Sequence, residues 1–192
     1  MLCYFRKLTS CVKYRLFRSY CTSFYGCELW SLTTCNIEDF CTTWRKGVRS
    51  VWNLPQCTHC YLLPLICGCI PVFDEICRRS INFVRTCISH ESALIRQIVS
   101  YGIHFARSES PVGHNVLFCA GRYNSTINSI LYGSFNDIVS AQFNSTMDEA
   151  QLRTVSFLLE LIEIRDSRHE FYNQLCLTKS ELNDIVTFIC TC

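Results

Sequence analysis

Residues 36–55 read NIEDFCTTWRKGVRSVWNLP and show the clearest helical pattern in the chain. At 100° per residue, seven apolar residues of this stretch fall within about 120° of one another. They are Ile37, Phe40, Cys41, Trp44, Val48, Val51 and Trp52. Asn36 is a favourable N-cap, and Pro55 disfavours helix at Leu54. The pattern predicts one long amphipathic helix with a single buried face.

Helical signals continue on both sides of this stretch. Further helices are predicted at Lys13–Trp30, from Pro71 with Asp74 and Glu75 in the first turn, at Glu91–Tyr101 ahead of Gly102, and from capping boxes at Thr146 and Thr178. No useful run of strand-type alternation occurs. We therefore predict a mostly α fold, a small helical bundle followed by a helical tail.

The distribution of charge indicates two halves. Residues 1–107 hold 13 Lys and Arg against 6 Asp and Glu, whereas residues 108–192 hold 5 against 10. Pro111 and two glycines lie between the halves and are typical of a break. We predict a helical region at 1–107, a linker at 108–123 and an acidic helical tail at 124–192. An excess of positive charge favours contact with a polyanion.

Sixteen cysteines are the most unusual feature of the composition. The N-terminus, MLCYFRK, lacks the apolar segment and cleavage site of a secretory signal peptide, so we expect an intracellular, reducing compartment without distinguishing nucleus from cytoplasm. Many of the cysteines fall where a helix would bury a small apolar residue. The longest apolar stretch, residues 60–73, is too short to span a bilayer, which needs about 20 residues, so no membrane partner is expected.

One cysteine cluster has metal-like spacing. Cys57 and Cys60 are followed by Cys67 and Cys69, and four thiolates could hold zinc tetrahedrally. The spacing is not that of a common zinc finger, however, and the residues between the pairs are apolar, as in a protein core. Buried thiols are the preferred interpretation, with structural zinc as the alternative, and no metal or cofactor is predicted.

Motifs of self-contained catalysis are not found in this sequence. It has no phosphate-binding P-loop, no dinucleotide-binding glycine motif, no nucleophile elbow, no HExxH zinc motif and no adjacent aspartate pair for catalytic magnesium. No catalytic residue is therefore predicted, and we expect no enzymatic activity from this chain alone.

The basic residues fall into two groups according to whether an acidic residue lies four positions earlier. Arg78 and Arg79 each follow an acidic residue by four positions, which favours ion pairs within the helix. Arg45, Lys46 and Arg49 have no acid at that spacing and are predicted to lie on an exposed side. Contact with phosphate and a solvated helix end explain these three equally well on physical grounds.

Several separated blocks of the sequence resemble one family in order. They are LFRSYCTSFYGCELW at 16–30, WRKGVRSVWNLP at 44–55, TH at 58–59, LLPL at 62–65, RRS at 78–80 and SPVGHN at 110–115. This order resembles the thumb and post-thumb region of the reverse transcriptases of non-LTR (LINE-type) retrotransposons. The resemblance covers about residues 1–120 and does not extend to the tail.

The resemblance implies a fragment of an RNA-directed DNA polymerase. In that family the fingers and the palm, with its metal-binding aspartates, precede this region, and the helical thumb grips the template–primer duplex through its backbone. The expected partners are RNA or an RNA–DNA duplex and the palm and fingers of the parent polymerase. The residues expected to contact phosphate are Arg45, Lys46 and Arg49, with Lys13, Arg15 and Arg18 behind them. Two alternatives stay open: a decayed element without function, and an unrelated helical protein-interaction module.

Overall fold

The computed structural model describes residues 8–145 and 149–168, and within these ranges the chain is helical without a strand. The α-helices are α1 (Ser10–Cys21), α2 (Cys35–Trp52), α3 (Leu62–Cys67), α4 (Val72–Ile88), α5 (Ala93–His104), α6 (Pro111–Arg122), α7 (Ile127–Tyr132), α8 (Phe135–Ser145) and α9 (Glu149–Arg168). A short 3-10 helix, Cys27–Leu29, precedes α2. The predicted mostly α fold is confirmed.

The described residues form two compact units that differ from the predicted domains. Unit 1 contains residues 8–23, 42–69 and 149–168, and unit 2 contains residues 24–41 and 70–145. Each unit is therefore assembled from separated pieces of the chain. Helix α2 contributes its first residues to unit 2 and the remainder to unit 1.

In unit 1, α1 packs against the second part of α2. The rings of Tyr14 and Trp52 lie 5.7 Å apart, and a Cβ at Gly47 would lie 2.8 Å from Phe17 Cε2. The later residue of α1 therefore contacts the earlier residue of α2, so the two helices run antiparallel. Glycine at position 47 permits this close approach. In the same unit, α3 packs against α9.

In unit 2, α4 is the central helix. It contacts the 3-10 helix and α5, α6, α7 and α8. Its buried face includes Ile76, Cys77 and Ile81, none of which is exposed. The Arg85 guanidinium donates to the carbonyl oxygens of Ile130 and Gly133 and so caps the C-terminal end of α7.

Asn115 joins three parts of unit 2. Its amide nitrogen donates to the Trp30 carbonyl at 2.8 Å and to Ser80 Oγ at 3.4 Å, and its amide oxygen accepts from the Leu32 backbone N–H at 3.0 Å. The side chain is buried. One residue of α6 therefore fixes the extended segment before α2 against α4.

Two predictions about the middle of the chain are wrong. The predicted linker at 108–123 is mostly helix α6, because Pro111 occupies the first helical position and the Ser110 hydroxyl accepts from the Gly113 N–H as an N-cap. Gly102 does not end α5, which continues to His104. A Cβ at Gly102 would lie 2.6 Å from Ser110 Oγ, so the lack of a side chain serves the packing of α5 against α6.

The helix ends agree with the sequence to different degrees. Helix α2 ends at Trp52, ahead of Pro55, as predicted. It begins at Cys35, however, so Asn36 lies inside the helix and the prediction that it is the N-cap is wrong. The predicted helix Lys13–Trp30 instead ends at Cys21, since Phe24 and Gly26 have positive φ angles and turn the chain. The Thr146 capping box precedes α9 but itself lies outside the described residues, as does the predicted helix from Thr178.

Candidate nucleic-acid interface

The chain segments 8–23 and 42–69 of unit 1 carry positive charge only. They contain six Lys and Arg and no Asp or Glu. The six are the residues predicted to contact phosphate, namely Lys13, Arg15, Arg18, Arg45, Lys46 and Arg49. Charge of one sign on adjacent helices raises the local potential and attracts anions.

Helix α1 exposes two of these cations. Arg15 and Arg18 are exposed and, three residues apart, lie about 60° from each other around the helix. Lys13 is half-buried and lies on the other flank of α1, about 140° from Arg18. Arg15 and Arg18 therefore project on one side, and Lys13 projects on another.

Helix α2 places Lys46 on its outer surface. Lys46 is exposed and lies about 170° from the centre of the buried stripe of the helix. Arg45 is half-buried beside that stripe, and its Nη2 donates to Thr42 Oγ1 at 3.0 Å. Since α1 and α2 are antiparallel with Phe17 at Gly47, Arg18 and Lys46 lie at about the same level along the two helices.

Arg49 does not lie on an exposed side, and this part of the prediction is wrong. Only 8% of its surface is exposed. Its Nε and Nη2 donate to the Thr58 carbonyl oxygen at 3.2 and 2.7 Å, and Nη2 also lies 3.4 Å from Cys60 Sγ. The guanidinium holds the loop that follows α2, so its donors are used inside the unit.

A sequence signal for this role existed. Arg49 is only about 60° from Trp52 around the helix, beside the apolar stripe rather than opposite it. The loop at Pro55 turns the chain back toward the same side, where the Thr58 hydroxyl donates to the Pro55 carbonyl at 2.8 Å. A cation at the edge of a buried stripe, next to a short returning loop, is a candidate for capping that loop.

Three arginines of unit 2, Arg78, Arg79 and Arg122, are engaged in ion pairs. Glu75 pairs with Arg79 at 2.8 Å, as predicted. Arg78 pairs with Glu75 as well, at 2.5 Å, and not with Asp74. Asp74 Oδ1 instead accepts from Arg122 Nε and Nη2, at 3.1 and 3.0 Å. These guanidiniums have carboxylate partners, which makes them poorer candidates for phosphate contact.

Asp74 is also the centre of a buried polar cluster. The Tyr123 hydroxyl donates to Asp74 Oδ1 at 2.6 Å, and the Arg122 guanidinium lies 4.6 Å from the centre of the Phe73 ring. Burial raises the pKa of Tyr123 and keeps its hydroxyl protonated as a donor. The cluster joins α4 to the end of α6, since Asp74 and Arg122 are 48 residues apart in the sequence. Its residues therefore have a structural role.

The four cysteines with metal-like spacing lie in different surroundings. Cys57 and Cys60 are exposed, Cys67 is buried and Cys69 is half-buried. A hydrogen bond with Cys69 and burial raise the pKa of the Cys67 thiol. No group of three or more metal-ligating side chains occurs in the part of the chain that the structure describes.

Comparison with known proteins gives no assignment. No protein-family model, curated protein or solved structure matches this chain. The functional interpretation therefore rests on the residues and the geometry of the chain itself. Among residues 8–145 and 149–168, no helix is long and apolar enough to cross a membrane.

The arrangement on unit 1 is suited to electrostatic contact. Guanidinium and ammonium groups on α1 and α2 can donate to phosphate oxygens, and such contacts position a nucleic acid without reading its sequence. The segments that present these cations contain no carboxylate that could hold a catalytic metal. The geometry supports binding of a polyanion.

Proposed function

We propose that this chain is the thumb and post-thumb part of a non-LTR retrotransposon reverse transcriptase, and that unit 1 binds the sugar–phosphate backbone of a nucleic-acid duplex. The observation that carries the binding proposal is the all-positive composition of segments 8–23 and 42–69, which form α1 and most of α2. The family proposal rests on the ordered sequence blocks that resemble this region. A helical thumb is compatible with the helical fold.

The proposed contacts differ from the set predicted by sequence alone. Arg15, Arg18 and Lys46 are exposed and become the principal contacts, with Lys13 and Arg45 at the sides. Arg49 is removed from the set because its donors bind Thr58. Five cations of the predicted set then remain, and together they would contribute a log–log slope of about −4.5 to the salt dependence on B-DNA.

A salt titration tests the proposal. Binding of the full chain to a fluorescent RNA–DNA hybrid and to a DNA duplex is measured by anisotropy between about 50 and 200 mM salt. Combined substitution of Arg15→Gln, Arg18→Gln and Lys46→Gln is expected to make the slope on the DNA duplex shallower by about 2.7 units. Duplexes of different sequence are expected to bind with similar affinity, since the contacts are to the backbone.

A matched control separates local contacts from net charge. Arg96→Gln, Arg107→Gln and Arg153→Gln also remove three positive charges from exposed positions, but outside the all-positive segments. This control variant is expected to keep most of the salt dependence of the wild-type chain. The lowest salt concentration, about 50 mM, is the most favourable condition for binding. Equal losses of slope in the two triple variants, or no binding by the wild-type chain at this salt concentration, would exclude the proposed interface.

The family part of the proposal has a separate test. The genomic sequence upstream of the Met1 codon is expected to encode the palm of a reverse transcriptase with its aspartate pair. An upstream sequence with no trace of a palm would remove the family proposal and leave the binding proposal to be judged by the titration.

A further inference from the structure

Helix α5 carries an apolar stripe that faces away from unit 2. Leu94 is 64% exposed, Ile98 61%, Tyr101 62% and Phe105 79%. The Tyr101 and Phe105 rings stack with their centres 5.6 Å apart. These four residues, called here the α5 stripe, form a continuous apolar surface in the described part of the chain.

The α5 stripe is distinct from the side of α5 that belongs to the core. Gly102 and Ile103 are buried on that other side, where α5 packs against α4 and α6. The two apolar faces lie about 110° apart around the helix. Folding of unit 2 therefore requires only one of them, and the other is free to bind a partner.

The spacing within the α5 stripe is that of a helix–helix seam. Its residues follow one another at intervals of four, three and four, which is the spacing of heptad core positions. With roughly 100–150 Å² exposed on each side chain, the stripe offers about 500 Å² per chain, so a pair of stripes would bury about 1,000 Å² if all of this area were covered. That area is the lower limit for a specific interface and is typical of a weak, reversible complex.

We propose that the occupant of the α5 stripe is a second copy of this chain, with the two α5 helices packed antiparallel about a twofold axis. The order of the residues is self-complementary, since the aliphatic Leu94 and Ile98 lie toward the start of the helix and the aromatic Tyr101 and Phe105 toward its end. Antiparallel pairing places Leu94 of each chain on Phe105 of the other, and Ile98 on Tyr101. A parallel pair would place aromatic on aromatic and aliphatic on aliphatic.

Charge is complementary in the same orientation. Glu91 lies at the start of the α5 stripe, and the exposed His104 and Arg107 lie near its end, where the exposed Glu109 follows. Antiparallel pairing brings the acid of each chain near the bases of the other and also aligns the two helix dipoles favourably. No charged side chain interrupts the stripe between its first and last members, although Arg96 occupies the far side of the helix.

Sedimentation velocity of the full chain, between about 1 and 200 µM under reducing conditions, tests the proposal at concentrations suited to a weak, reversible complex. The wild-type chain is expected to shift from monomer to dimer across this range. Ile98→Glu is expected to remain monomeric, because each dimer would bury two carboxylates. Leu152→Glu on α9, a leucine that is 49% exposed, is the matched control and is expected to dimerise like the wild type.

A charge swap tests the antiparallel register. Tyr101→Lys alone is also expected to be monomeric, but an equimolar mixture of the Ile98→Glu and Tyr101→Lys chains is expected to form a mixed dimer, since residue 98 of one chain faces residue 101 of the other. Circular dichroism shows whether each variant retains its helices, which is expected because both positions are mostly exposed. A monomeric wild type, dimerisation of Ile98→Glu, or failure of the mixture to pair would overturn the proposal. No nucleic acid is present, so the result is independent of the proposed duplex binding.

Discussion

Replacing Arg49 by alanine is expected to destabilise unit 1 rather than remove a phosphate contact. The substitution leaves the buried Thr58 carbonyl without the two donors that now reach it, and an unpaired buried carbonyl costs about 1–3 kcal/mol. The three methylenes of the arginine stem are buried with it and add up to about 0.8 kcal/mol each. We expect a loss of about 2–4 kcal/mol in the free energy of unfolding, and a fall in melting temperature of about 4–16 °C for a chain of this size.

Lys46→Ala is the matched control, because it removes the same charge from the same helix three residues earlier. Lys46 is exposed, so its removal is expected to change stability by less than about 0.5 kcal/mol while weakening duplex binding. Urea unfolding followed by circular dichroism gives the first quantity, and anisotropy at fixed salt gives the second. Arg49→Lys keeps the charge but loses the two-donor geometry, and is expected to recover less than half of the lost stability. If Arg49→Ala unfolds at the same urea concentration as Lys46→Ala and weakens binding equally, the assignment of Arg49 to the loop is incorrect.

Three further outcomes follow from unit 2. Asn115→Ala removes the partners of the Leu32 N–H and the Trp30 carbonyl and is expected to cost about 2–4 kcal/mol by urea unfolding; full stability of the variant would contradict the bridging role. Gly113→Ala is expected to lower the free energy of unfolding by about 1–3 kcal/mol, since the new Cβ would overlap the backbone of α5. Gly121→Ala on the same helix is the control: its Cβ would meet no atom within 4 Å, and it is expected to raise the free energy of unfolding by up to about 1 kcal/mol. A hydrogen bond with Cys77 and burial raise the pKa of Cys119, so the unfolded chain loses the thiol proton at a lower pH than the folded chain. Stability is therefore expected to fall as pH rises above about 9, by about 1.4 kcal/mol per pH unit for this thiol. Unfolding in reductant at pH 8 to 10 measures this slope, which Cys119→Ala is expected to reduce.

Local patterns in the sequence were sufficient where one face of one helix determines the structure. Helix α2 agrees with its prediction in its extent and in its C-terminal end because seven apolar side chains and a following proline act together, whereas the N-cap at Asn36 is wrong. The predicted linker at 108–123 failed because the same residue types serve two purposes. Pro111 can break a helix or begin one, and Gly113 here allows α6 to approach α5 closely.

Partners that are distant in the sequence were the main gap in predicting the site. Spacing of four residues reveals only partners within one helix, whereas the Thr58 carbonyl for Arg49 and Arg122 for Asp74 lie further away in the sequence. Arg49 and Lys46 both lack an acidic residue at that spacing, although the two point to different sides of α2. The charge of segments 8–23 and 42–69 was visible in the sequence, but their membership of one unit was not, since 18 residues of unit 2 lie between them.

The interrupted order of unit 1 has a consequence for the growing chain on the ribosome. Helix α3 emerges early, but α9, which packs against it, follows about 80 residues later, and at 5–20 residues per second that interval lasts about 4–16 s. The larger piece of unit 2, residues 70–145, is made within this interval, so unit 2 can fold before unit 1 has all its helices. During those seconds the side of α3 that meets α9 is uncovered.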